Sequence, residues 1–270
     1  MIPYDASRES LFHPGRATDF FQLGPLTSDG ALCAEMARLA YVKGSADLTA
    51  FLARASFSLV RTADIAGTQA FVATRGGDAV LAFRGTEPDD PTDLGADADL
   101  VLVDLAGGGR VHRGFAHALD VVWSSISPVI PAAARVLVTG HSLGAALATL
   151  AAVRLGGARL FTFGSPRVGD AAFAARADRL VHERWVDCAD IVTRVPPEAL
   201  GYAHTGQRHY IDRAGRHQPG IDDAAIEADQ RNAELEYLMT YTFRKGTAAI
   251  RDLADHSPIN YVSGVAGLRA

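Results

Sequence analysis

A serine between two glycines offers the clearest chemistry in the chain. Residues 140–144 read GHSLG, which is the pattern G-x-S-x-G with Ser142 at its centre. A serine hydroxyl is a weak nucleophile, so it needs a base within hydrogen-bond reach and a third group that orients the base. The pattern alone is common, and an incidental serine in a glycine-rich turn is the alternative interpretation.

The segments on either side of this pattern favour the reactive serine. Residues 134–139 form a short apolar run rich in β-branched residues, which predicts a buried strand. Residues 145–153 are mostly alanine and leucine, which predicts a helix. A strand, this pattern and a helix together indicate a nucleophile elbow, a turn so sharp that larger residues at Gly140 and Gly144 would collide.

The base and the acid must come from later in the chain if their order is Ser, Asp, His. Asp190 follows a predicted strand over 181–186, and the carboxyl ends of strands are where such sheets place reactive groups. His256 lies further along the chain. Because the chain has nine histidines, spacing alone does not select this pair. The competing candidates are Asp187, His204 and His209.

Length and composition set the limits of the fold. The chain has 270 residues, of which 48% are hydrophobic, and its formal net charge is −5. This length and hydrophobic content suffice for one large α/β domain, so we expect a single domain over 1–270. The negative charge gives no reason to expect a nucleic-acid partner. No uninterrupted apolar run approaches the length of a transmembrane helix.

The N-terminal residues and the cysteines bear on cellular location. The first residues lack a basic segment followed by an apolar one, so no signal peptide is visible. The two cysteines, Cys33 and Cys188, allow one disulfide but do not require it, and a reducing compartment is the simpler inference. We therefore expect a cytoplasmic protein, or one exported by a route without a cleaved signal.

Strand and helix patterns alternate along most of the chain, which predicts a mainly parallel sheet with helices on both faces. Residues 1–27 look irregular, and Ser28 is a candidate N-cap for a helix that ends near Val42. The other predicted helices are 46–54, 112–127, 170–179, 221–241 and 246–253. The other predicted strands are 57–62, 69–74, 79–83, 160–163 and 208–211.

Several collinear segments resemble the class 3 lipases, the fungal-lipase-like branch of the α/β-hydrolases. They are residues 80–86, 111–115, 138–144, 161–170, 190–197, 201–206 and 255–256. The resemblance extends from about residue 57 to residue 262, and the first 27 residues and the helix after 221 lie outside it. It implies an α/β-hydrolase fold with a short lid after the first conserved strand, approximately residues 87–99.

The resemblance also implies roles for individual residues. Asp190 matches the acid of the family's catalytic triad and His256 matches its histidine, whereas Asp187 does not match and His204 matches a histidine that is not catalytic. His112 is expected to be structural. For the oxyanion hole, the elbow predicts the backbone N–H of Leu143 as one donor. The second donor, implied by the resemblance, is Thr86 through its N–H and its hydroxyl.

The family hydrolyses carboxylic esters, mostly acylglycerols, through an acyl-enzyme that needs neither cofactor nor metal. Phospholipase and feruloyl-esterase activities are alternatives on the same triad. The predicted lid has Leu94 as its only large apolar residue, so we expect weak interfacial activation, short- to medium-chain esters and transient contact with a lipid interface. Alternatively the segment is only a solvated loop and residues 100–103 supply the apolar surface.

Two other classes of protein would require sequence features that differ from those observed. A non-catalytic binding protein on this fold would lack a member of the triad, and none is missing here. A metal hydrolase would carry a cluster such as H-E-x-x-H, which the sequence does not contain. A serine ester hydrolase is therefore the interpretation that the residues favour.

Overall fold

The structure is a computed structural model that describes residues 1–86, 100–132, 134–241 and 243–269. The predicted lid, residues 87–99, lies outside the described residues. The helices are α1 Arg8–Phe12, α2 Asp29–Leu39, α3 Ser45–Arg54, α4 Arg113–Ile126, α5 Leu143–Leu155, α6 Ala171–Ala177, α7 Asp223–Thr240, α8 Arg251–Ala254 and α9 Pro258–Val265. The strands are β1 Ser58–Ile65, β2 Thr68–Arg75, β3 Asp78–Phe83, β4 Leu102–Asp104, β5 Arg110–His112, β6 Arg135–His141, β7 Arg159–Phe163, β8 His182–Asp187, β9 Gln207–Ile211 and β10 His217–Gln218.

The described residues form a central sheet of eight strands in the order β1-β2-β3-β6-β7-β8-β9-β10. Strands β3, β6, β7, β8 and β9 run parallel, while β1, β2 and β10 pair antiparallel with their neighbours. Strands β4 and β5 form a separate hairpin. This architecture is the predicted α/β-hydrolase fold with a mainly parallel sheet, and its carboxyl edge is formed where β6, β7 and β8 end.

Each face of the sheet packs against its own layer of helices. Alternate residues of β3 pack into the two layers. Val80 lies in the hydrophobic cluster that includes residues of α2 and α3, and Leu81 lies in the cluster that includes residues of α4 and α5. Because side chains alternate across a strand, burial on both faces produces a continuous apolar run rather than an alternating one. That is why residues 79–83 are apolar throughout.

Capping groups fix the ends of the helices that frame the site. The Ser28 hydroxyl accepts a hydrogen bond from the N–H of Ala31, which confirms the predicted start of α2. His112 caps α4 through Nδ1, which faces the N–H groups of Gly114 and Phe115. His112 therefore stabilises the start of α4, and its structural role stays a prediction.

The chain ends differ from the sequence-based prediction. The segment expected to be irregular contains α1, and the helix expected over 246–253 is reduced to α8, Arg251–Ala254. Helix α9 was not predicted, although Pro258 at its first turn is a recognised start signal. Its isoleucine, valines and glycine favour helix only weakly, so tertiary packing on α2 outweighs intrinsic propensity there. None of the described helices is both long and apolar enough to cross a bilayer.

Candidate active site

The turn between β6 and α5 holds Ser142 in a strained conformation. Its φ of 59° and ψ of −130° lie in a region that non-glycine residues rarely occupy. A Cβ on Gly140 would lie 2.1 Å from the carbonyl oxygen of Gly144, and a Cβ on Gly144 would lie 2.3 Å from the carbonyl oxygen of Phe83. The predicted need for glycine at both positions is therefore confirmed.

Three predicted site residues form one hydrogen-bonded row. His256 Nε2 lies 2.9 Å from the Ser142 hydroxyl oxygen, and His256 Nδ1 lies 2.9 Å from both carboxylate oxygens of Asp190. An ionised carboxylate can only accept, so Nδ1 carries the proton and the lone pair of Nε2 faces the serine hydroxyl. All three residues are buried.

Asp190 lies in the turn at the carboxyl edge of the sheet. Strand β8 ends at Asp187, and Asp190 then begins a 3₁₀ turn, in which one carboxylate oxygen accepts from the N–H of Val192 at 2.9 Å. The other oxygen accepts from the Tyr261 hydroxyl at 2.6 Å. Both oxygens therefore have a second partner besides His256, which holds the carboxylate plane in place.

Tyr261 was not among the residues predicted for the site. Its hydroxyl donates to Asp190 and accepts from the backbone N–H of Asp187 at 3.0 Å. Burial and the neighbouring Asp190 carboxylate raise the pKa of Tyr261 well above its usual value, so the hydroxyl keeps its proton. Tyr261 lies on α9, which begins at Pro258 just after His256, and that helix was not predicted.

The residue before the serine adds a second imidazole to the site. The His141 ring lies 4.4 Å from the His256 ring, centre to centre, and His141 Nδ1 is 2.9 Å from the Tyr41 hydroxyl. Burial, reinforced by the nearby His256, holds the pKa of His141 well below its usual value. His141 is therefore a neutral neighbour that places no competing positive charge beside His256.

Both predicted oxyanion-hole residues lie near Ser142. Leu143 follows it in the chain, and Thr86 follows Gly85, which packs against it. Leu143 opens α5, and the N–H groups of a first helical turn have no acceptor within the helix. Thr86 is exposed and follows Gly85, where a Cβ would lie 3.0 Å from the Ser142 Cβ. The end of β3 thus runs directly beside the elbow, and a larger residue at 85 would separate them.

The alternative acid, Asp187, belongs to a different interaction. Both of its carboxylate oxygens accept hydrogen bonds from Arg269, whose guanidinium also donates to the carbonyl of Asn260. Burial raises the pKa of Asp187 and the Arg269 charge opposes that rise. Asp187 therefore ties β8 to α9, and Asp190 is the acid that bonds His256.

The alternative histidines also lie elsewhere. His204 Nε2 donates to the carbonyl of Thr193 at 2.8 Å, and burial lowers the pKa of His204 to about 3. His209 faces His217, with 3.2 Å between their ring nitrogens. The two cysteines are buried free thiols, so the disulfide that the sequence allowed is not formed.

A mainly parallel sheet with a serine elbow at its carboxyl edge, joined to a histidine and an aspartate, defines an α/β-hydrolase fold with a site of the serine-hydrolase type. Residues 80–200 match the family model described as Lipase (class 3). The chain belongs to the class 3 lipase family. Similar solved structures include a lipase from Rhizopus microsporus var. chinensis, with 28% identity, a TM-score of 0.59 and coverage of 77% of this chain and 79% of that one.

Curated relatives agree with this assignment. A secreted mono- and diacylglycerol lipase of Fusarium solani is 39% identical over 121 residues, which are 40% of this chain and 36% of that relative. A lipase of Rhizomucor miehei is 34% identical over 42% of this chain and 37% of its own length. A secreted mono- and diacylglycerol lipase of Malassezia globosa is 34% identical over 208 residues, 68% of this chain and 66% of that protein. The match thus spans well under half of the first two relatives.

Proposed function

We propose that this protein is a carboxylic ester hydrolase that works through an acyl-enzyme on Ser142. The observation that carries the proposal is the pair of 2.9 Å contacts on opposite sides of the His256 ring. One side fixes the tautomer through Asp190, and the other presents a lone pair to the serine hydroxyl. A solved triacylglycerol lipase with a serine protease triad at its catalytic centre, 29% identical with a TM-score of 0.56, supports the same mechanism.

In the proposed reaction the Ser142 oxygen attacks the ester carbonyl carbon while His256 Nε2 takes the hydroxyl proton. The tetrahedral oxyanion then collapses, the bond to the alcohol breaks, and His256 returns the proton to the departing alkoxide. Water repeats the sequence on the acyl-enzyme and releases the acid. Asp190 stays ionised and stabilises the imidazolium that forms in each half. No cofactor or metal takes part in this scheme.

We assign the oxyanion hole to the Leu143 N–H and to Thr86. The position of Gly85 against Ser142 supports this assignment, because Thr86 is the next residue along the chain. The positive end of α5 also favours negative charge beside its first residue. Loss of one such donor costs about 2.7–4 kcal/mol of transition-state stabilisation.

The proposed substrates are acylglycerols or other esters of short to medium chain length. The relatives named mono- and diacylglycerol lipases and triacylglycerol lipase support an acylglycerol substrate. Transient contact with a lipid interface belongs to this proposal. The word "secreted" in two of these names favours export over a cytoplasmic location, and detection of the protein in culture medium from intact cells would test it.

A phosphonate ester probe tests the nucleophile. We expect stoichiometric labelling of the native protein at Ser142, with loss of labelling and of ester hydrolysis in Ser142→Ala. Labelling elsewhere together with full activity of the variant would refute the mechanism. A panel of p-nitrophenyl esters, a triglyceride, a phospholipid and a feruloyl ester would then rank the substrate classes.

Two histidine variants test the base. His256→Ala should abolish turnover because no lone pair would face the serine. His204→Ala is the matched control, since its ring bonds a backbone carbonyl and should leave most of the activity. Loss of turnover in the control alone would mean that the wrong base was chosen.

A further inference from the structure

The end of helix α7 carries an unusually exposed group of large apolar side chains. Leu235 is 60% exposed, Leu238 54%, Met239 86% and Phe243, just beyond the helix, 94%. We call these four residues the apolar end of α7. Single exposed apolar residues are ordinary, but a contiguous group of this size marks an interaction surface or an aggregation hazard.

The fold holds this group outward. Ile226, Ala233 and Tyr237 form the buried side of the same helix, and the Tyr237 hydroxyl donates to the carbonyl of Ala248 at 2.7 Å. Helical periodicity places Leu235 opposite that buried side, with Leu238 and Met239 flanking it. A rotation that buried the apolar end of α7 would break the buried contacts.

Helix α7 lies at the same edge of the sheet as the candidate site. The Gln230 amide donates to the carbonyl of Cys188 at 2.7 Å, and Asp229 accepts from the Tyr210 hydroxyl at 2.9 Å. Cys188 begins the turn that leads to Asp190 at the end of β8. The helix therefore packs on the carboxyl edge of β8 and β9, next to the turn that supplies the acid of the triad.

Two further exposed apolar residues lie in the turn after Asp190 and just before α8. Ile191 directly follows Asp190 and is 37% exposed, and Ile250, just before α8, is 47% exposed. Their segments meet through Arg194 and Asp252, whose charged groups lie 3.6 Å apart. Helix α8 packs in turn on α7, so α7 is joined to the turn of Asp190 through α8 as well.

We propose that the apolar end of α7 docks the protein on an electrically neutral lipid surface, such as an acylglycerol droplet, and this inference rests on the proposed function. The charged residues that flank the group along the chain balance in number, with Glu234 and Glu236 before Arg244 and Lys245. Glu236 is also paired with Arg213 at 3.1 Å. The chain as a whole carries −5, so an anionic membrane repels it. A second copy would bring the same net charge, whereas neutral lipid imposes no such repulsion.

Docking of this kind acts on encounter with the substrate and leaves the chemical step alone. Insertion of the apolar end of α7 raises the residence time of the enzyme at the droplet, which lowers the apparent KM for emulsified ester. Hydrolysis of a dissolved ester needs no surface and is unaffected. The device therefore differs from interfacial activation, which would change kcat.

The test compares two triple variants of similar chemistry. Leu238→Ser/Met239→Ser/Phe243→Ser removes the docking residues, and Leu23→Ser/Val60→Ser/Val181→Ser removes exposed apolar residues away from this edge. Binding to a trioctanoin emulsion is measured by flotation in the Ser142→Ala background, which leaves the lipid intact. Activity is measured with the Ser142 enzymes on the same emulsion and on dissolved p-nitrophenyl acetate.

We expect the first variant to bind the emulsion at least tenfold more weakly, a change of about 1.4 kcal/mol, and to show a similarly raised apparent KM. Its kcat/KM on the dissolved ester should stay within twofold of the parent. Retained binding, or an equal loss in the control variant, would overturn the proposal. If no ester is hydrolysed by the parent, the proposed function fails while the flotation result still decides the docking surface.

Two further measurements test whether an anionic membrane or a second copy of the chain binds this surface instead. Tighter binding to vesicles containing phosphatidylglycerol than to phosphatidylcholine vesicles would contradict a neutral lipid partner. Light scattering after size exclusion should give the same mass for the parent and the first variant. A dimer in the parent that becomes a monomer in the variant would assign the surface to a second copy and overturn the proposal.

Discussion

A single methyl group at position 164 should disable the proposed triad without touching its three residues. Gly164 follows β7 with φ of 58°, and a Cβ there would lie 2.7 Å from an Asp190 carboxylate oxygen and 3.0 Å from His256 Nδ1. Carbon and oxygen atoms that are not bonded rarely approach closer than about 3.2 Å, because overlap repulsion rises steeply. Gly164→Ala must therefore displace the Asp190–His256 contact by about half an ångström or more.

Rigid surroundings prevent the displacement from being absorbed. Asp190 is held by Val192 and Tyr261, so neither of its oxygens can retreat without losing a hydrogen bond. Misplacement of a reacting group by about 1 Å costs about 10²-fold in rate. We expect kcat on a dissolved ester to fall by about 10- to 10²-fold and KM to change little, because the methyl group contacts Asp190 and His256.

The assay needs a control for backbone strain. Gly156 ends α5 with φ of 64°, close to that of Gly164, but a Cβ there would meet nothing within 4 Å. Gly156→Ala should lose about 1–2 kcal/mol of unfolding free energy in urea, since it forces an L-residue into the left-handed region. Gly164→Ala should lose more, because its Cβ also clashes with Asp190 and His256. Only Gly164→Ala should lose kcat. Equal activity of the two variants would refute the steric argument.

Four further outcomes follow from the structure. Burial lowers the pKa of His182 to about 3, so below pH 6.5 the unfolded chain binds a proton at this residue and the folded chain does not. Between pH 6 and 4.5 the free energy of unfolding of the parent, measured in urea, should therefore fall by about 2 kcal/mol more than that of His182→Gln. Thr86→Val should lower kcat about 10²-fold, and Thr86→Ser should restore it. Arg269→Met should cost about 3–5 kcal/mol of unfolding free energy by stranding a buried carboxylate, and adding Asp187→Asn should recover part of that loss. If the predicted lid over 87–99 activates only weakly, the rate should rise smoothly through the solubility limit of the ester, and a steep jump there would contradict this expectation.

The elbow could be predicted because its information is local. The strand, the glycines and the helix around Ser142 are contiguous in the chain, and the clash at Gly140 follows from backbone geometry alone. Strand positions in β2, β3 and β7 were predicted for a similar reason, since burial on both faces leaves runs of apolar residues. What the residues by themselves could not decide was the acid, Asp187 or Asp190, and the base among His204, His209 and His256.

The choice between the two aspartates depends on contacts with residues far along the chain. Asp187 and Asp190 sit in the same loop, and what separates them is Arg269, which binds the first, and Tyr261, which bonds the second. Both partners come from the last part of the chain, in and after a helix whose sequence favours helix only weakly. The family resemblance selected the acid, whereas the physical reason became visible only with the fold.

Residues near the end of the chain also help to position the site. Asp255, next to His256, accepts from the N–H of Ala189 and from Arg251 and Tyr4, so it links both chain ends to the turn that carries Asp190. A buried carboxylate is costly unless it is paired and hydrogen-bonded, and here each oxygen has such partners. The same contacts that satisfy the charge fix the spacing between the turn and His256. The hydrogen bonds that satisfy these buried charges therefore also align Asp190 with His256.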